Sequence, residues 1–183
     1  MDKEIKKRTI MIFPEFENIE KINEIRKKYD PLYNHVRPHI SIVFTFDSEI
    51  TTEELKNHLT KALKNEKKFK LCLQGLLKVD NSLGKYFFLN IEEGTDVIKR
   101  MCKKLYTGIL ELYKPAWLNE NTFMPHMTVG TFETKEELEV ASKDERIKNF
   151  NEKFETIVEK ISVEIIDKND DSIIEIEQEL GLN

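Results

Sequence analysis

Two short segments of the 183-residue chain place a histidine two positions before a hydroxyl residue. The first segment is His39-Ile40-Ser41-Ile42, and the second is His126-Met127-Thr128-Val129. A proline directly precedes each histidine. The apolar residues at the second and fourth positions predict that both segments are β-strands with one buried face. On each strand the imidazole and the hydroxyl then share the other face.

An imidazole beside a hydroxyl, present twice, is a set of groups suited to cleaving a phosphodiester. One histidine can accept a proton from water or a ribose hydroxyl, while the other donates a proton to the leaving oxygen. Histidine suits both roles because its unperturbed pKa of about 6.5 lets the neutral and protonated forms coexist near neutral pH. Hydroxyl groups can donate hydrogen bonds to the non-bridging oxygens as charge develops on them. We therefore predict His39, Ser41, His126 and Thr128 as catalytic residues of a site that needs no metal ion and no cofactor.

The similarity between the two segments extends into the residues that follow them. Each continues through a Thr-Phe pair into a helix that begins with a capping box, Thr51 with Glu54 and Thr134 with Glu137. A unit of strand, loop and helix thus occurs twice, with about half the chain between the two histidines. We predict two pseudo-symmetric lobes that bring the histidines face to face across a cleft.

Hydrophobic periodicity predicts the other elements of an α+β fold. In the strand at 39–46, alternation assigns Ile40, Ile42, Phe44 and Phe46 to the core. The longest helix runs from residue 95 to about residue 112. The predicted strands are 9–13, 39–46, 69–74, 86–91, 126–132, 161–165 and 174–177. The predicted turns are 81–84 and 168–171, and the predicted helices are 22–29, 51–63, 95–112 and one after 134.

Composition limits the class of protein. With 39% hydrophobic and 34% charged residues, residues 1–183 are expected to form a single bilobal domain without disulfides. The net charge of −5 argues against binding long nucleic acid through its phosphates. Cys72 and Cys102 lack metal-ligand or redox spacing and are expected to be buried free thiols. Because the chain shows no signal peptide and no membrane-spanning run, we expect a cytoplasmic monomer that does not bind membranes.

Residues close to the two segments are candidates for substrate binding. Arg37, just before the first segment, can contact a phosphate, although an exposed loop arginine is the simpler interpretation. Tyr33, Tyr86, Trp117 and Phe123 can stack on a base, although most aromatic side chains pack in the core. Trp117 and Phe123 are the better stacking candidates because they lie in the loop before the second segment. We predict Arg37 and Phe123 as substrate-binding residues.

A metal site is the alternative interpretation of one pair of histidines. His35 and His39 are four residues apart, a spacing that places two metal ligands on one face of a helix. Pro38 lies between them and argues against a helix there. We therefore predict no metal ligands.

On these residues the chain resembles the two-histidine (2H) phosphoesterase superfamily, whose members carry two His-x-Thr/Ser-apolar motifs. That superfamily includes the bacterial 2'-5' RNA ligase-like proteins, which act as RNA 2',3'-cyclic phosphodiesterases. The resemblance implies a bilobal α+β fold in which each lobe has an antiparallel sheet covered by helices, with a metal-independent active site between the lobes. It also implies that His39 donates a proton, that His126 accepts one, and that Ser41 and Thr128 hold the phosphate.

One departure from the pattern of the resembling family concerns the substrate. Many RNA-acting relatives have an arginine shortly after the second motif, where this chain has Gly130-Thr131. The departure argues against long RNA substrates and agrees with the acidic net charge.

The prediction is a phosphodiesterase for a 2',3'-cyclic phosphate, a 2'-5' linkage or a similar small nucleotide phosphodiester. Its substrate is a small nucleotide or an RNA 3' end, and the reverse reaction is 2'-5' RNA ligation. One alternative is a nucleotide- or RNA-end-binding module with the same cleft and little catalysis. Another is a structural protein in which the two histidines are merely buried strand residues.

Overall fold

The computed structural model describes residues 4–181 of the chain. Within that range the strands are β1 Lys6–Ile12, β2 Ile40–Ser48, β3 Phe69–Asn81, β4 Gly84–Glu93, β5 Met127–Phe132, β6 Lys153–Val158, β7 Lys160–Ile166 and β8 Ser172–Glu179. The helices are α1 Ile19–Tyr29, α2 Thr52–Ala62, α3 Thr95–Leu105, α4 Lys135–Ala141 and α5 Glu145–Lys148, with a 3₁₀ helix at Gly108–Tyr113.

The strands form one antiparallel sheet in the order β6-β3-β4-β5-β2-β1-β7-β8. The sheet has two four-stranded halves that meet at the seam between β2 and β5, where Ile40 pairs with Met127. Each half corresponds to one predicted lobe, and the two are continuous at the seam. The predicted α+β class, with antiparallel strands covered by helices, is confirmed.

The predicted internal repeat is visible in the order of the elements. The series β1-α1-β2-α2 in one half matches β4-α3-β5-α4 in the other. Both capping boxes are present, and they begin α2 and α4. Helix α1 packs on β5 and helix α3 packs on β2, so each helix crosses the seam onto the opposite half. This exchange of helices holds the halves together although the two strands at the seam pair through a single residue each.

The prediction of one helix over residues 95–112 is wrong about the length of that helix. Helix α3 ends at Leu105, and the N–H of Tyr106 closes its last turn. Gly108 then adopts a φ of 54°, a left-handed conformation that favours glycine and interrupts an α-helix. The chain continues as the 3₁₀ helix, in which Ile109 keeps the four-residue apolar spacing but is exposed.

The helices leave one face of the sheet open at the seam. Ile40, Ile42, Met127 and Val129 are fully buried on the covered face. Because strand side chains alternate between faces, residues 39, 41, 126 and 128 lie on the other face. The predicted catalytic residues therefore share the open face.

Two expectations from composition can be compared with the structure. Cys72 and Cys102 are buried free thiols, as predicted. No helix within residues 4–181 has the length and apolar character needed to cross a membrane.

Candidate active site

The seam brings the four predicted catalytic residues together. Extending its antiparallel register by one residue in each direction sets His39 opposite Thr128 and Ser41 opposite His126. Directly opposite side chains have Cβ atoms about 5 Å apart, and diagonal neighbours are about 7–8 Å apart. The imidazoles therefore occupy one diagonal of a small square and the hydroxyls the other. We call these four residues the catalytic square, after the role that the sequence predicts for them.

The same backbone hydrogen bond holds both histidines. The Nδ1 of His39 lies 2.8 Å from the carbonyl oxygen of Arg37, and the Nδ1 of His126 lies 2.8 Å from that of Met124. A carbonyl oxygen only accepts hydrogen bonds, so each Nδ1 carries a proton and donates it. The Nε2 of each ring is thus the nitrogen available to exchange a proton with a substrate. The arrangement repeats because each motif has a proline between the histidine and the accepting residue.

A phenylalanine lies flat against the second histidine. The ring centroids of Phe88 and His126 are 3.6 Å apart, with 19° between the ring planes. Tyr86, two residues earlier on β4, stacks on Phe88 with a centroid distance of 5.1 Å and an angle of 16°. This contact fixes the orientation of the imidazole, and the π face of Phe88 favours the protonated ring. Sequence analysis did not single out Phe88, for which the available signal was its period-2 spacing from Tyr86.

Burial lowers the pKa of both histidines. For His39, loss of hydration is the main cause, and the hydrogen bond to the Arg37 carbonyl opposes it. The positive charge of Arg26 lowers the pKa further, and the negative charge of Asp30 raises it. The charge of His126 also lowers the pKa of His39, a sign of how close the two rings are. For His126, loss of hydration lowers the pKa and the hydrogen bond to the Met124 carbonyl opposes this. Both imidazoles therefore favour the neutral form at neutral pH.

Two cavities on the open face meet at the catalytic square. The aromatic cavity, on the β4 and β5 side, has a volume of about 400 Å³ and is lined by Ser41, Phe44, Asn81, Leu83, Tyr86, Phe88, Trp117, Thr122, Phe123, Met124, His126 and Thr128. The smaller cavity, on the β1 side, has a volume of about 180 Å³ and is lined by Lys7, Thr9, Met11, Leu32, Val36, His39, Ser41, Thr45, Ile166 and Asp170. Ser41 borders both. A further cavity of about 400 Å³ lies between α1 and α5, and none of the predicted site residues is among the described residues that line it.

The Arg37 guanidinium contacts Phe13 and Glu164, neither of which belongs to the catalytic square. Its guanidinium carbon lies 3.9 Å from the centroid of the Phe13 ring, and its Nη2 lies 4.0 Å from Oε1 of the buried Glu164. Arg37 is not among the described residues that line either cavity. Its role in substrate binding stays a prediction.

Phe123 and Trp117 both reach the aromatic cavity but differ in exposure. Phe123 is 5% exposed and forms part of the inner wall, with its ring centroid 6.1 Å from that of Phe44. Trp117 is 41% exposed. Substrate binding by Phe123 stays a prediction, and Trp117 is the more exposed of the two residues.

The structure offers little for a metal ion. Within residues 4–181 no three His, Cys, Asp or Glu side chains converge to hold one. The Nδ1 of His35 lies 2.7 Å from Oδ1 of Asp171 on the turn between β7 and β8. Metal independence stays a prediction.

Similarity to known proteins identifies the family of the chain. The chain belongs to the 2'-5' RNA ligase superfamily, whose family model matches residues 14–170. A Bacillus licheniformis protein whose name assigns it provisionally to the phosphoesterases is 27% identical over 123 residues, which are 66% of this chain and 68% of that protein.

Solved structures show the same fold. E. coli LigT complexed with NADP+ aligns with a TM-score of 0.65 at 16% identity, covering 97% of this chain and 99% of LigT. LigT complexed with 3'-AMP aligns with a TM-score of 0.59 at 16% identity, covering 96% and 98% of the two chains.

Proposed function

We propose that this chain is a metal-independent phosphodiesterase that acts on a 2',3'-cyclic phosphate, a 2'-5' linkage or a similar small nucleotide phosphodiester. The observation that carries the proposal is the catalytic square, in which two imidazoles with available Nε2 atoms alternate with two hydroxyls. Membership of the superfamily supports phosphoester chemistry. The LigT structures with NADP+ and 3'-AMP show small nucleotides bound to a protein of this fold, which supports a nucleotide substrate.

In the proposed reaction the two histidines act on opposite sides of the phosphorus atom. His126 Nε2 takes a proton from water as the water oxygen bonds to phosphorus, and the bond from phosphorus to one ribose oxygen breaks. His39, protonated at Nε2, donates that proton to the leaving oxygen. The hydroxyls of Ser41 and Thr128 donate hydrogen bonds to the non-bridging oxygens. The product is a phosphomonoester, and proton exchange with solvent returns His126 to the neutral form and His39 to the protonated form.

The same site accounts for ligation when a ribose hydroxyl replaces the water. A 5' hydroxyl then loses its proton to His126 and attacks the cyclic phosphate, which forms a 2'-5' linkage as the 3' oxygen leaves. We propose this as a secondary activity on RNA 3' ends.

The setting that we propose is the cytoplasm, with the chain acting as a monomer. The buried free thiols of Cys72 and Cys102 fit a reducing compartment. The net charge of −5 fits a small substrate better than long nucleic acid.

The experiment that tests the proposal is hydrolysis of a panel of substrates in excess EDTA. The panel contains nucleoside 2',3'-cyclic phosphates, a 2'-5' linked dinucleotide and an RNA with a 2',3'-cyclic phosphate end. We expect turnover of at least one, and the product shows whether the 2' or the 3' phosphate remains. Activity that disappears on chelation and returns with a divalent metal contradicts the mechanism. Binding of nucleotides without turnover favours the binding module.

We expect the hydroxyl of Thr128 to matter more than its methyl group. Thr128→Val removes one donor to the non-bridging oxygens and should lower kcat by about 10²-fold, as loss of such a donor does in other active sites. Thr128→Ser keeps the hydroxyl, as Ser41 does in the first motif, and should retain most of the activity. Steady-state kinetics of the two variants measure the difference. Activity that Thr128→Val retains and Thr128→Ser loses means that the methyl group's packing, and not the hydroxyl, is what the reaction needs.

The dependence of kcat/KM on pH should be bell-shaped with its maximum below about pH 6.5. One histidine must be neutral and the other protonated, so activity falls at both low and high pH. The apparent pKa values of the two limbs of the profile belong to the pair of histidines and not to either one. Burial lowers the pKa of both histidines in the free enzyme below the unperturbed value of about 6.5. As the pH rises through this range, the proton donor therefore loses its proton, and kcat/KM falls. A profile that keeps climbing to pH 8 contradicts this prediction.

A further inference from the structure

A buried ion pair lies at the end of α1. The Nε of Arg26 donates to Oδ2 of Asp30 at 2.6 Å, and the two side chains are 1% and 4% exposed. Replacing a buried pair of charges by apolar residues is often neutral for stability, so stability alone does not account for such a pair. Neither residue is among the described residues that line the two cavities, so contact with a substrate does not account for it either.

The other hydrogen bonds of the pair go to the loop at 31–38, which precedes the first motif. The Nη2 of Arg26 donates to the carbonyl oxygen of Val36 at 2.7 Å and to that of Leu32 at 3.3 Å. The Oδ1 of Asp30 accepts a hydrogen bond of 2.9 Å from the N–H of Leu32. The pair therefore ties the beginning and the end of this loop to the last turn of α1.

This anchoring reaches the ring of His39 through the backbone. Val36 is followed directly by Arg37, whose carbonyl oxygen lies 2.8 Å from the Nδ1 of His39. The next residue is Pro38, whose ring restricts rotation between that carbonyl and the histidine. The positive charge of Arg26 also lowers the pKa of His39. A loop that is fixed at Val36 therefore fixes the carbonyl that orients the imidazole.

The same turn of α1 packs against the half of the sheet that carries the second motif. The ring of Tyr29 makes an edge contact with that of Phe87 on β4, with 5.9 Å between the centroids and 90° between the planes. A Cβ atom at Gly130 on β5 would lie 3.1 Å from the Cβ of Tyr29, so the absence of a side chain there allows this close approach. Because β2 and β5 pair through a single residue each, α1 supplies a second connection between the strands that follow His39 and His126.

We infer that Arg26 and Asp30 are positioning residues that set the place of His39 relative to His126. The helix that bears the pair packs on the half of the sheet with His126, while the pair holds the loop that leads to His39. The inference rests on the proposed function, because the two imidazoles must act on opposite sides of one phosphorus atom. A displacement of about 1 Å in such a site can lower the rate about 10²-fold.

The test replaces both charges of the pair, so that neither is left buried without its partner. Arg26→Met/Asp30→Leu removes the hydrogen bonds to the loop and should lower kcat on a 2',3'-cyclic nucleotide by about 10²-fold. KM should change much less, because neither residue lines the cavities. Thermal unfolding should occur near the wild-type temperature, since apolar residues replace both charges. Arg26→Lys keeps the positive charge but not the planar fork of donors, and should show a smaller loss of kcat.

Lys28→Met is the matched control on the same helix. The Nζ of Lys28 donates to Oδ2 of Asp144 at 2.7 Å, and the lysine side chain is 50% exposed. This variant breaks an ion pair of α1 that does not involve the loop at 31–38, and it should keep the wild-type kcat. If kcat of Arg26→Met/Asp30→Leu equals that of the wild type, or falls only as far as the folded fraction falls, the inference is overturned.

An NMR measurement separates failure of this inference from failure of the proposed function, because it needs no turnover. The ¹⁵N chemical shifts of a neutral imidazole show which nitrogen carries the proton. In the wild type His39 and His126 should both be protonated at Nδ1, as their hydrogen bonds to carbonyl oxygens require. In Arg26→Met/Asp30→Leu, His39 should move part of its proton population to Nε2, whereas His126 should not. This change in a protein without turnover overturns the proposed function and supports the inference, whereas an unchanged His39 overturns the inference whatever the turnover.

Discussion

Replacing His39 or His126 by alanine is expected to lower kcat at least about 10²-fold, the low end of what general acid–base catalysis contributes. Each variant removes one Nε2 from the catalytic square and leaves the other imidazole without a partner for the opposite proton transfer. The side chains are partly exposed, and each hydrogen-bonds only to a carbonyl two residues away. Their other ring contacts are with Phe13 for His39 and Phe88 for His126, so their loss should leave the core intact. Turnover of a 2',3'-cyclic nucleotide in EDTA, beside thermal unfolding of each variant, measures both expectations.

His58 provides the control for these variants. Its Nε2 lies 2.9 Å from the carbonyl oxygen of Leu105, at the end of α3, and it is absent from the described lining of both cavities. His58→Gln should therefore keep the wild-type kcat. If His39→Ala and His126→Ala unfold at much lower temperature and the activity merely follows the folded fraction, the two histidines are structural residues.

The largest expected effect on stability comes from breaking the ion pair between Arg8 and Glu175. The Nε of Arg8 donates to Oε2 of Glu175 at 2.6 Å, and its Nη2 donates to Oε1 at 2.9 Å. The side chains are 0% and 6% exposed, and the pair links β1 to β8 across β7. Glu175→Leu leaves a buried guanidinium without its carboxylate and should lower the free energy of unfolding by about 3–5 kcal/mol. Urea denaturation at pH 7 measures the loss.

Two further variants test whether the unpaired charge of Arg8 causes the loss of stability in Glu175→Leu. The double variant Arg8→Met/Glu175→Leu removes both charges and should lose less stability than Glu175→Leu alone. Glu177, which is also on β8, forms an exposed ion pair with Lys160 on β7. Glu177→Leu breaks this pair and should change the free energy of unfolding by about 0–1 kcal/mol. A double variant less stable than the single one contradicts the interpretation.

The stabilising effect of this pair should depend on pH. Burial alone raises the pKa of Glu175, but hydrogen bonds from Arg8, Thr52 and Lys6 outweigh it and lower the pKa to about 2. In the unfolded chain the pKa of a glutamate is about 4.3. The stabilisation that the pair contributes is therefore complete above about pH 4.3 and is lost as the pH falls towards 2. The difference in the free energy of unfolding between the wild type and Glu175→Leu should become smaller over the same range of pH.

Elements with local signals were predictable from the sequence. The capping boxes at Thr51 and Thr134 begin helices because each satisfies backbone N–H groups within four residues. The turn at 81–84 joins β3 to β4, and the turn at 168–171 joins β7 to β8, as predicted. None of these features depends on residues that are distant in the chain.

Elements that depend on long-range pairing were not predictable in the same way. Strand β6 was not predicted because its fully buried residues, Phe154 and Val158, are four apart, a spacing that fits a helix as well as a strand. Phe44 was assigned to the core but is half-buried and lines the aromatic cavity. The register between β2 and β1 shifts twice along this stretch, and such irregularities re-aim side chains.

The site shows the same division between local and distant causes. The paired motifs give His39 and His126 directly, because each motif sets its own strand and its own backbone hydrogen bond. The stacking of Phe88 on His126 depends on the pairing of β4 with β5, in which Phe88 lies opposite Thr128. The exposed ring of Trp117 likewise depends on contacts with Phe44 on the other half of the sheet. The residues that meet at the seam were therefore predictable, whereas the side chains that surround them were not.

The central claim is that both histidines act on one phosphodiester in a single step. The most direct test is the single-turnover rate of the double variant His39→Ala/His126→Ala on a 2',3'-cyclic nucleotide in excess EDTA, compared with each single variant. When two residues act in the same step, their separate losses of transition-state stabilisation do not add. The double variant should therefore have about the same rate as the slower single variant. A loss in the double variant equal to the product of the two single losses means that the histidines act independently and contradicts the account.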